Sequence, residues 1–388
     1  MMKVAVGHSE DVLASEAVKE VVEQIRASIP NTQPKAGILF CSVDFDHEFI
    51  LSAVRSAFPG MELIGCTTDG EMSSYMGFRE DSLTLMVFES DRIEFVAGAG
   101  KVVSQRQRLA GLDAAESARR KLYGQIGKEK FAVILSDAFH AGISDIDQGI
   151  QSVLGKNFPV IGGASAAHSK KRATFQFYNE EVLTDSVVLL LFAGPVVFSC
   201  GMQGGLSPMG SLEIITKCEN NVLYRIGDKP AIEYFHKYIG SSDTFLNYCV
   251  AVFEKGRKNF YVRSAPSSDK EKGSVTLNGR VPEGAMIQVG TPDRETLMDS
   301  CCTSIRQAVE LYPGERPAAM LLFSCAGRKM ILGTRVTQEV EMAQREVPGV
   351  PLIGFYCYGE FAPLEKGEPY MFHGATFITL LVGPGEEG

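Results

Sequence analysis

Short apolar runs of five to eight residues, closed by glycine or proline, recur along the chain in a repeating order. The first run is AGILFCS (36–42). A stretch of helical spacing follows, in which Phe49, Ile50, Ala53, Val54 and Ala57 can share one face. PGMELIGCTTDGE then brings a second run ending in Ile64-Gly65, and after a polar turn comes DSLTLMVF. The order returns as FAVILSD, FPVIGGASAAH and DSVVLLLFAG, and again as AAMLLFSCAG, PGVPLIGFYCYGE and ATFITLLVG. Each copy reads strand, helix, strand ending in Ile-Gly, polar loop, strand. Runs this short and this rich in Val, Ile, Leu and Phe predict strands buried on both faces. Loops at strand ends are where α/β proteins place ligands, so the residues after Ile-Gly are the first candidates for a site.

A different pattern separates the second copy from the third. DKPAIEYFHKY predicts a helix with Asp228 as N-cap and Pro230 in its first turn. TFLNYCVAVFEKG, KNFYVRSAP and GSVTLNGRVPEGAMIQVG predict an antiparallel meander, with the polar SSDKEKG at a hairpin tip. A helix over Thr291 to Leu311 buries Leu297, Cys301, Ile305 and Ala308. The expected fold is α/β (α+β): two domains of mixed β-sheets flanked by helices, or a layered sandwich of two sheets between helices. The boundary falls near Lys217, giving domains 1–217 and 218–388. The first domain carries two copies of the theme and the second carries the meander and the third copy.

Bulk properties narrow the class. The 388 residues exceed one ordinary core, and 45% apolar with 22% charged residues is a globular balance. A net charge of -9 argues against a polyanion-binding surface. The one basic run, Lys170-Lys171-Arg172, reads as a solvated loop rather than a nucleic-acid patch. The most apolar stretch, Val187 to Phe198, is broken by Gly194-Pro195 and is shorter than the ~20 residues a bilayer requires. The first residues lack the apolar core and cleavage site of a signal peptide. Nine scattered cysteines without C-x-x-C fit reduced, buried thiols and a cytoplasmic location, not disulfides, zinc or a redox pair.

Several stretches resemble a known family. GCTTDGE, VLYRIGDKPAIEYFHKY, YVRSAP, VPEGAMIQVG, SCAGR and GFYCYGEFAP followed by FHGATF occur in the order found in the FIST N-terminal and FIST C-terminal domains. The resemblance covers about residues 35 to 380. It implies a sensory protein that binds small ligands such as amino acids. It also implies work with a separate signalling protein, such as a histidine kinase or a cyclase. Some FIST members resemble haem-binding nitric-oxide sensors. Gly374-Ala375 stands where the family typically carries a polar pair after Phe-His.

The candidate chemistry follows from these segments. Gly205 and Gly210 have P-loop spacing, but Ser211 replaces the phosphate-binding lysine. Gly163 to Ala167 misses a nucleophile elbow by its last glycine. Cys325, at a strand end near Arg328, is either a nucleophile, which would make the protein a Cys-dependent enzyme, or a buried structural thiol. Arg328 and Arg263 offer planar donor forks for carboxylates, and Gly359-Glu360 ends the third Ile-Gly segment. An arginine and Glu360 can grip the two ends of an amino acid, with Tyr356 and Tyr358 as walls; alternatively Arg328 and Glu360 pair with each other. His373 is either a satisfied histidine or, with His236 as rival, an axial ligand to a noncovalent haem. Among these readings, non-catalytic binding of a small polar ligand is the leading expectation.

Overall fold

The computed structural model describes residues 2–122, 127–139, 145–168, 173–240, 248–257, 259–364 and 370–385. The first copy of the theme begins one strand earlier than its apolar runs suggest. It comprises β1 (Met2–Ser9), α1 (Ala14–Ser28), β2 (Ala36–Cys41), α2 (His47–Ala57) and β3 (Glu62–Thr67). Its polar loop is a hairpin, β4 (Glu71–Ser73) and β5 (Gly77–Arg79), and β6 (Leu83–Ser90) closes it. The second copy runs β7 (Glu94–Lys101), α3 (Val103–Arg119), β8 (Glu129–Ser136), α4 (Ile146–Leu154) and β9 (Val160–Ala164). Its hairpin is β10 (Gln176–Tyr178) and β11 (Glu181–Leu183), followed by β12 (Ser186–Ala193).

The third copy opens with β13 (Val196–Gly204) and is then interrupted. The insertion contains β14 (Ser207–Pro208), β15 (Glu213–Glu219), β16 (Val222–Ile226), β17 (Lys229–Pro230) and α5 (Ala231–Ile239). It continues through β18 (Cys249–Phe253), β19 (Tyr261–Ser264), β20 (Ser267–Asp269), β21 (Ser274–Thr276) and β22 (Met286–Thr291). The copy resumes with α6 (Arg294–Leu311), β23 (Ala319–Cys325), α7 (Ala326–Leu332), α8 (Thr337–Glu346) and β24 (Leu352–Cys357). Its hairpin is β25 (Glu360–Pro363) and β26 (Tyr370–His373), and β27 (Thr376–Pro384) ends it.

The three copies build three sheets of one design. Their orders are β1-β6-β2-β3-β10-β11, β7-β12-β8-β9-β25-β26 and β13-β27-β23-β24-β4-β5. In each, the two Ile-Gly partners run parallel (β2 with β3, β8 with β9, β23 with β24), and the closing strand lies antiparallel beside them. The hairpins are exchanged in a cycle: the first copy's completes the third sheet, the second's the first, and the third's the second. One apolar core joins the inner faces of all three sheets, with Phe40, Phe88, Phe131, Phe192, Phe323 and Phe355 among its members. The helices lie outside, so the central strands of these three sheets are covered on both faces, which is why they read as unbroken apolar runs.

Backbone hydrogen bonds close a ring where the copies meet. Asp69 N donates to Tyr356 O at 3.0 Å, Ala166 N to Thr67 O at 2.8 Å and Tyr358 N to Ala164 O at 3.2 Å. These are equivalent positions, counted from each Ile-Gly pair. The insertion adds a fourth sheet, β19-β18-β22-β15-β16-β21-β20, with β14 and β17 at its margins and a core of its own under α5.

The architecture is the expected mixed α/β arrangement, with local differences. The helix after Asp228 starts at Ala231 because Lys229–Pro230 pairs with β16, so Asp228 is not its N-cap. In α2, Phe49 stays exposed while His47 and Leu51 turn inward. The predicted meander is reordered, β22 sitting between β18 and β15. Lys217 lies within β15, and β13, on its N-terminal side, pairs with β27. Lys170-Lys171-Arg172 lies outside the described residues. Among the described residues no helix is long and apolar enough to cross a membrane.

Candidate functional site

The strand ends of the third copy divide the expected site residues between two environments. Arg328 and Tyr356 go inward. Arg328 is fully buried on α7, and its guanidinium meets Glu339 of α8 at 2.6 Å and 3.1 Å, Ser300 Oγ at 2.8 Å and the Leu297 carbonyl at 2.8 Å. It also lies over the Phe377 ring, 5.2 Å from the centroid. Tyr356 Oη donates to the other Glu339 oxygen at 2.6 Å, as does Ser324 Oγ at 3.0 Å. The expected pairing of Arg328 with Glu360 is therefore corrected: its partner is Glu339. Glu339 sits on the buried face of an otherwise polar helix, and only the packing of α8 on the sheet identifies it.

Arg263, Cys325, Gly359, Glu360 and His373 gather where the inserted sheet meets hairpin β25–β26, with β19 lying against β26, whereas Tyr358 sits by Asp69 and Lys329 where the copies meet. Glu360 and His373 face each other across the hairpin register. Glu360 is buried, accepts from Thr376 N at 3.1 Å and Thr376 Oγ1 at 2.7 Å, and lies 3.3 Å from Cys357 Sγ. Burial pushes its carboxyl up to about 7. Cys325 lies nearby; burial and the Glu360 charge push its thiol well above the ordinary range, against N–H groups of Gly327 and Ala375. That is the reverse of what a nucleophilic cysteine requires. Gly359 takes φ +150°, and a Cβ there would strike the Phe372 ring at 2.0 Å, so the turn demands glycine. Tyr358 is 39% exposed and donates to Ala167 O at 2.7 Å.

Arg263, on β19, is the unusual member. It is 2% exposed, yet its described hydrogen bonds are to the carbonyls of Arg280 (3.3 Å) and Val262 (3.1 Å), with the Tyr261 ring stacked 4.4 Å away. Among the described residues no carboxylate pairs with it. Burial accordingly pulls its guanidinium down to about 10. His373 is 0% exposed; Nε2 bonds the Ala362 carbonyl at 3.0 Å and Nδ1 has no partner. Burial, then the Arg263 charge, lowers its imidazole to about 3, so it is neutral with a bare Nδ1 lone pair. Two glycines let neighbouring side chains pack against the backbone here. A Cβ on Gly279 would meet Arg263 Nε at 2.7 Å, and one on Gly374 would meet Asn278 Nδ2 at 2.3 Å.

This donor set does not fit a haem. The Nε2 of His373 is held by the backbone, and its surroundings carry the Arg263 and Arg257 charges instead of a dry apolar slot. His236 is on α5, which packs on β16, β17 and β21, away from β26. No group of three or more His, Cys, Asp and Glu side chains among the described residues is placed to hold a metal ion.

A second polar cluster, unforeseen in the sequence, draws on all three copies. Lys329 Nζ bonds Asp69 O (2.8 Å), Asp69 Oδ1 (2.9 Å), Glu80 Oε1 (2.7 Å) and His168 Nδ1 (3.2 Å). Its members satisfy one another, which marks a clasp between copies and not an open site.

Comparison with known proteins bears on this geometry. Residues 35–229 match the FIST N domain, and residues 231–363 match the FIST C domain. The chain belongs to the FIST family. FIST domains are sensory, small-ligand-binding modules of signalling proteins. An uncharacterized protein of Mycobacterium bovis is 25% identical over 221 residues, covering 53% of this chain and 56% of its own. An uncharacterized protein of Methanocaldococcus jannaschii is 26% identical over 307 residues, covering 73% of this FIST chain and 58% of its own. The alignments thus span a little over half the length of these curated relatives. Among solved structures, a cyanuric acid hydrolase from A. caulinodans aligns over 100% of both chains with 9% identity and a TM-score of 0.42.

Proposed function

We propose that this FIST protein is a non-catalytic sensor whose small polar ligand sits in the seam between the inserted sheet and hairpin β25–β26. The ligand is an amino acid or a related metabolite, and the output passes to a separate signalling protein such as a histidine kinase or a cyclase. The observation that carries the reading is Arg263. Buried charges in folded proteins are paired, because an isolated ion costs several kcal/mol to desolvate. Among the described residues the guanidinium touches carbonyl oxygens and an aromatic face and no carboxylate, with Glu254 acting on it from a distance, so a ligand carboxylate would supply a paired charge. The bare Nδ1 of His373 calls for an N–H or O–H donor on the same ligand. Cys325, Gly359 and Glu360 border this seam, whereas Arg328 and Tyr356 support the sheet behind it and Tyr358 lies with Asp69 and Lys329.

The test is calorimetric titration of the protein with free amino acids, hydroxy acids and simple carboxylates, repeated with Arg263→Met. Methionine keeps the apolar stem and removes the charge. A ligand of this class should bind the wild type and lose about 30-fold or more in affinity in the variant. The ligand-free variant should be more stable than wild type, on the order of 1 kcal/mol, because an unpaired buried charge is gone. Binding that is indifferent to Arg263→Met, or an absence of binding across the panel, sinks the assignment.

A further inference from the structure

The first residues of the three exchanged hairpins are Glu71, Gln176 and Glu360, and they occupy equivalent places. In each copy one side-chain oxygen accepts an N–H at the start of the closing strand. Ser82 N donates to Glu71 Oε2 at 3.2 Å, Ser186 N to Gln176 Oε1 at 3.1 Å and Thr376 N to Glu360 Oε2 at 3.1 Å. The other terminal atom meets a hydroxyl or thiol three residues after the glycine of each Ile-Gly pair: Thr68, Ser165 or Cys357. All three hairpin residues are 0% exposed. Each contact fastens a hairpin of one copy at the point where it enters the sheet of another.

Two copies use an acid and one uses an amide, and the amide shows the polarity the latch requires. Gln176 Nε2 donates to Ser165 Oγ at 2.8 Å, and that hydroxyl passes its own proton to Ser136 O at 2.9 Å. In the third copy Cys357 Sγ lies 3.3 Å from both Ser324 O and Glu360 Oε1. A thiol has one proton and cannot donate to both. A protonated Glu360 resolves the conflict by donating to Sγ, which frees the thiol for Ser324 O and reproduces the Gln176 pattern. In the first copy, Ser82 Oγ lies 2.6 Å from Glu71 Oε2 and 2.8 Å from His8 Nε2.

We propose that hairpins β4–β5 and β25–β26 are proton-dependent latches between the two halves of the molecule, closed while Glu71 and Glu360 hold a proton and loosened when they release it. β4–β5 carries first-copy residues into the third sheet, and β25–β26 carries third-copy residues into the second sheet. Deprotonation puts a carboxylate charge into a fully covered site. Around Glu71, the Ser82 N–H and the Ser82 and Thr68 hydroxyls favour the anion, but burial outweighs them; Asp81 adds negative charge, Cys41 and Cys66 are neutral thiols, and burial keeps His8 neutral at about 3. Around Glu360 the neighbours are the thiols of Cys249, Cys325 and Cys357, neutral His373 across the hairpin, and Arg328, which favours the anion but is held by Glu339.

The sign follows from burial. Both carboxyls rise from 4.5 to about 7 in the folded chain. The folded state therefore holds these protons longer than the unfolded state. Their effect on stability is nil below pH ~4.5, grows unfavourable between ~4.5 and ~7, and is constant above. Each carboxyl lowers the folding equilibrium constant by roughly a hundredfold or more across that window.

The experiment compares urea unfolding of the wild type, Glu71→Gln, Glu360→Gln and the double variant from pH 5 to pH 8. Gln176 shows that an amide fits this place. The double variant should exceed the wild type least near pH 5 and most at pH 8, each single variant lying between. Amide exchange at Phe361 and Ala362, corrected for intrinsic rates, should speed up in the wild type between pH 6 and pH 8 and stay level in Glu360→Gln. A stability difference that does not change with pH overturns the proposal, as does hairpin exchange that ignores pH. Should the variants fail to fold, infrared spectra of the wild type decide: a buried protonated carboxyl band lost between pH 5.5 and 8 supports the latch, and no such loss overturns it.

Discussion

Arg263 and Arg328 are alike in the sequence, each following an apolar segment, and the fold gives them opposite tasks. Arg328 meets Glu339 through two nitrogens and spends its remaining donors on Ser300 and the Leu297 carbonyl. It is a satisfied cation in a closed network. Replacing it with alanine strands Glu339 without its charge partner, and the expected cost is about 3–5 kcal/mol. Urea denaturation at neutral pH checks this, and a loss under about 1 kcal/mol would show that the network relaxes freely. Arg263 has no such partner, so its replacement by methionine is expected to have the opposite sign in the absence of ligand. On the proposed function, opposite signs for the two variants separate a residue held for stability from one held for binding. Cys325 is judged in the same way. Its strand-end position invites a catalytic reading, but burial beside Glu360 raises the thiol instead of lowering it.

At the scale of elements, close packing of α3 and α4 rests on reciprocal glycines. A Cβ on Gly111 would lie 2.2 Å from Ile146 O, and one on Gly149 would lie 2.0 Å from Arg108 O. Backbone is in the way, and it cannot swing aside as a side-chain tip can. Gly149→Ala should therefore cost about 1–3 kcal/mol despite alanine's better helix propensity. Gly327→Ala is the control, because only Cys325 Sγ lies within 4 Å of its Cβ, at 3.7 Å. It should change stability by less than about 0.5 kcal/mol in either direction. Thermal or urea unfolding of the two variants in parallel measures both. The hairpins tell a related story. Each is two strands of three or four residues, too short to be stable alone, and each becomes a sheet edge only in the sheet of another copy.

For the whole molecule, exchange of hairpins interlocks the parts that the sequence suggests are separate. The third sheet needs β13, which precedes Lys217, and hairpin β4–β5, which comes from the first copy. A fragment of residues 218–388 would leave β27 and β24 each with an open edge, within an apolar core shared by three sheets. Expressed alone, that fragment should be aggregated or show collapsed amide dispersion by NMR. A well-dispersed spectrum from it would show that the second domain folds without the exchanged strands.

The sequence by itself determined the elements and their repetition. Strands covered on both faces must be apolar throughout, so AGILFCS, FAVILSD and AAMLLFSC were legible as strands without any partner in view. The FIST resemblance was equally legible, because its motifs are local runs of residues. Arg263, Glu360, Cys325 and His373 were recognisable as polar groups at strand ends. What only the tertiary structure decided was who meets whom. Hairpin exchange was invisible because strands of three residues carry almost no periodicity, and their pairing is set by distant chain. Glu339 and Lys329 looked like ordinary helix-surface charges until packing turned one inward against Arg328 and the other onto Asp69 and Glu80. Burial is a property of the whole molecule, and it is burial that raises Glu71 and Glu360 and lowers Arg263.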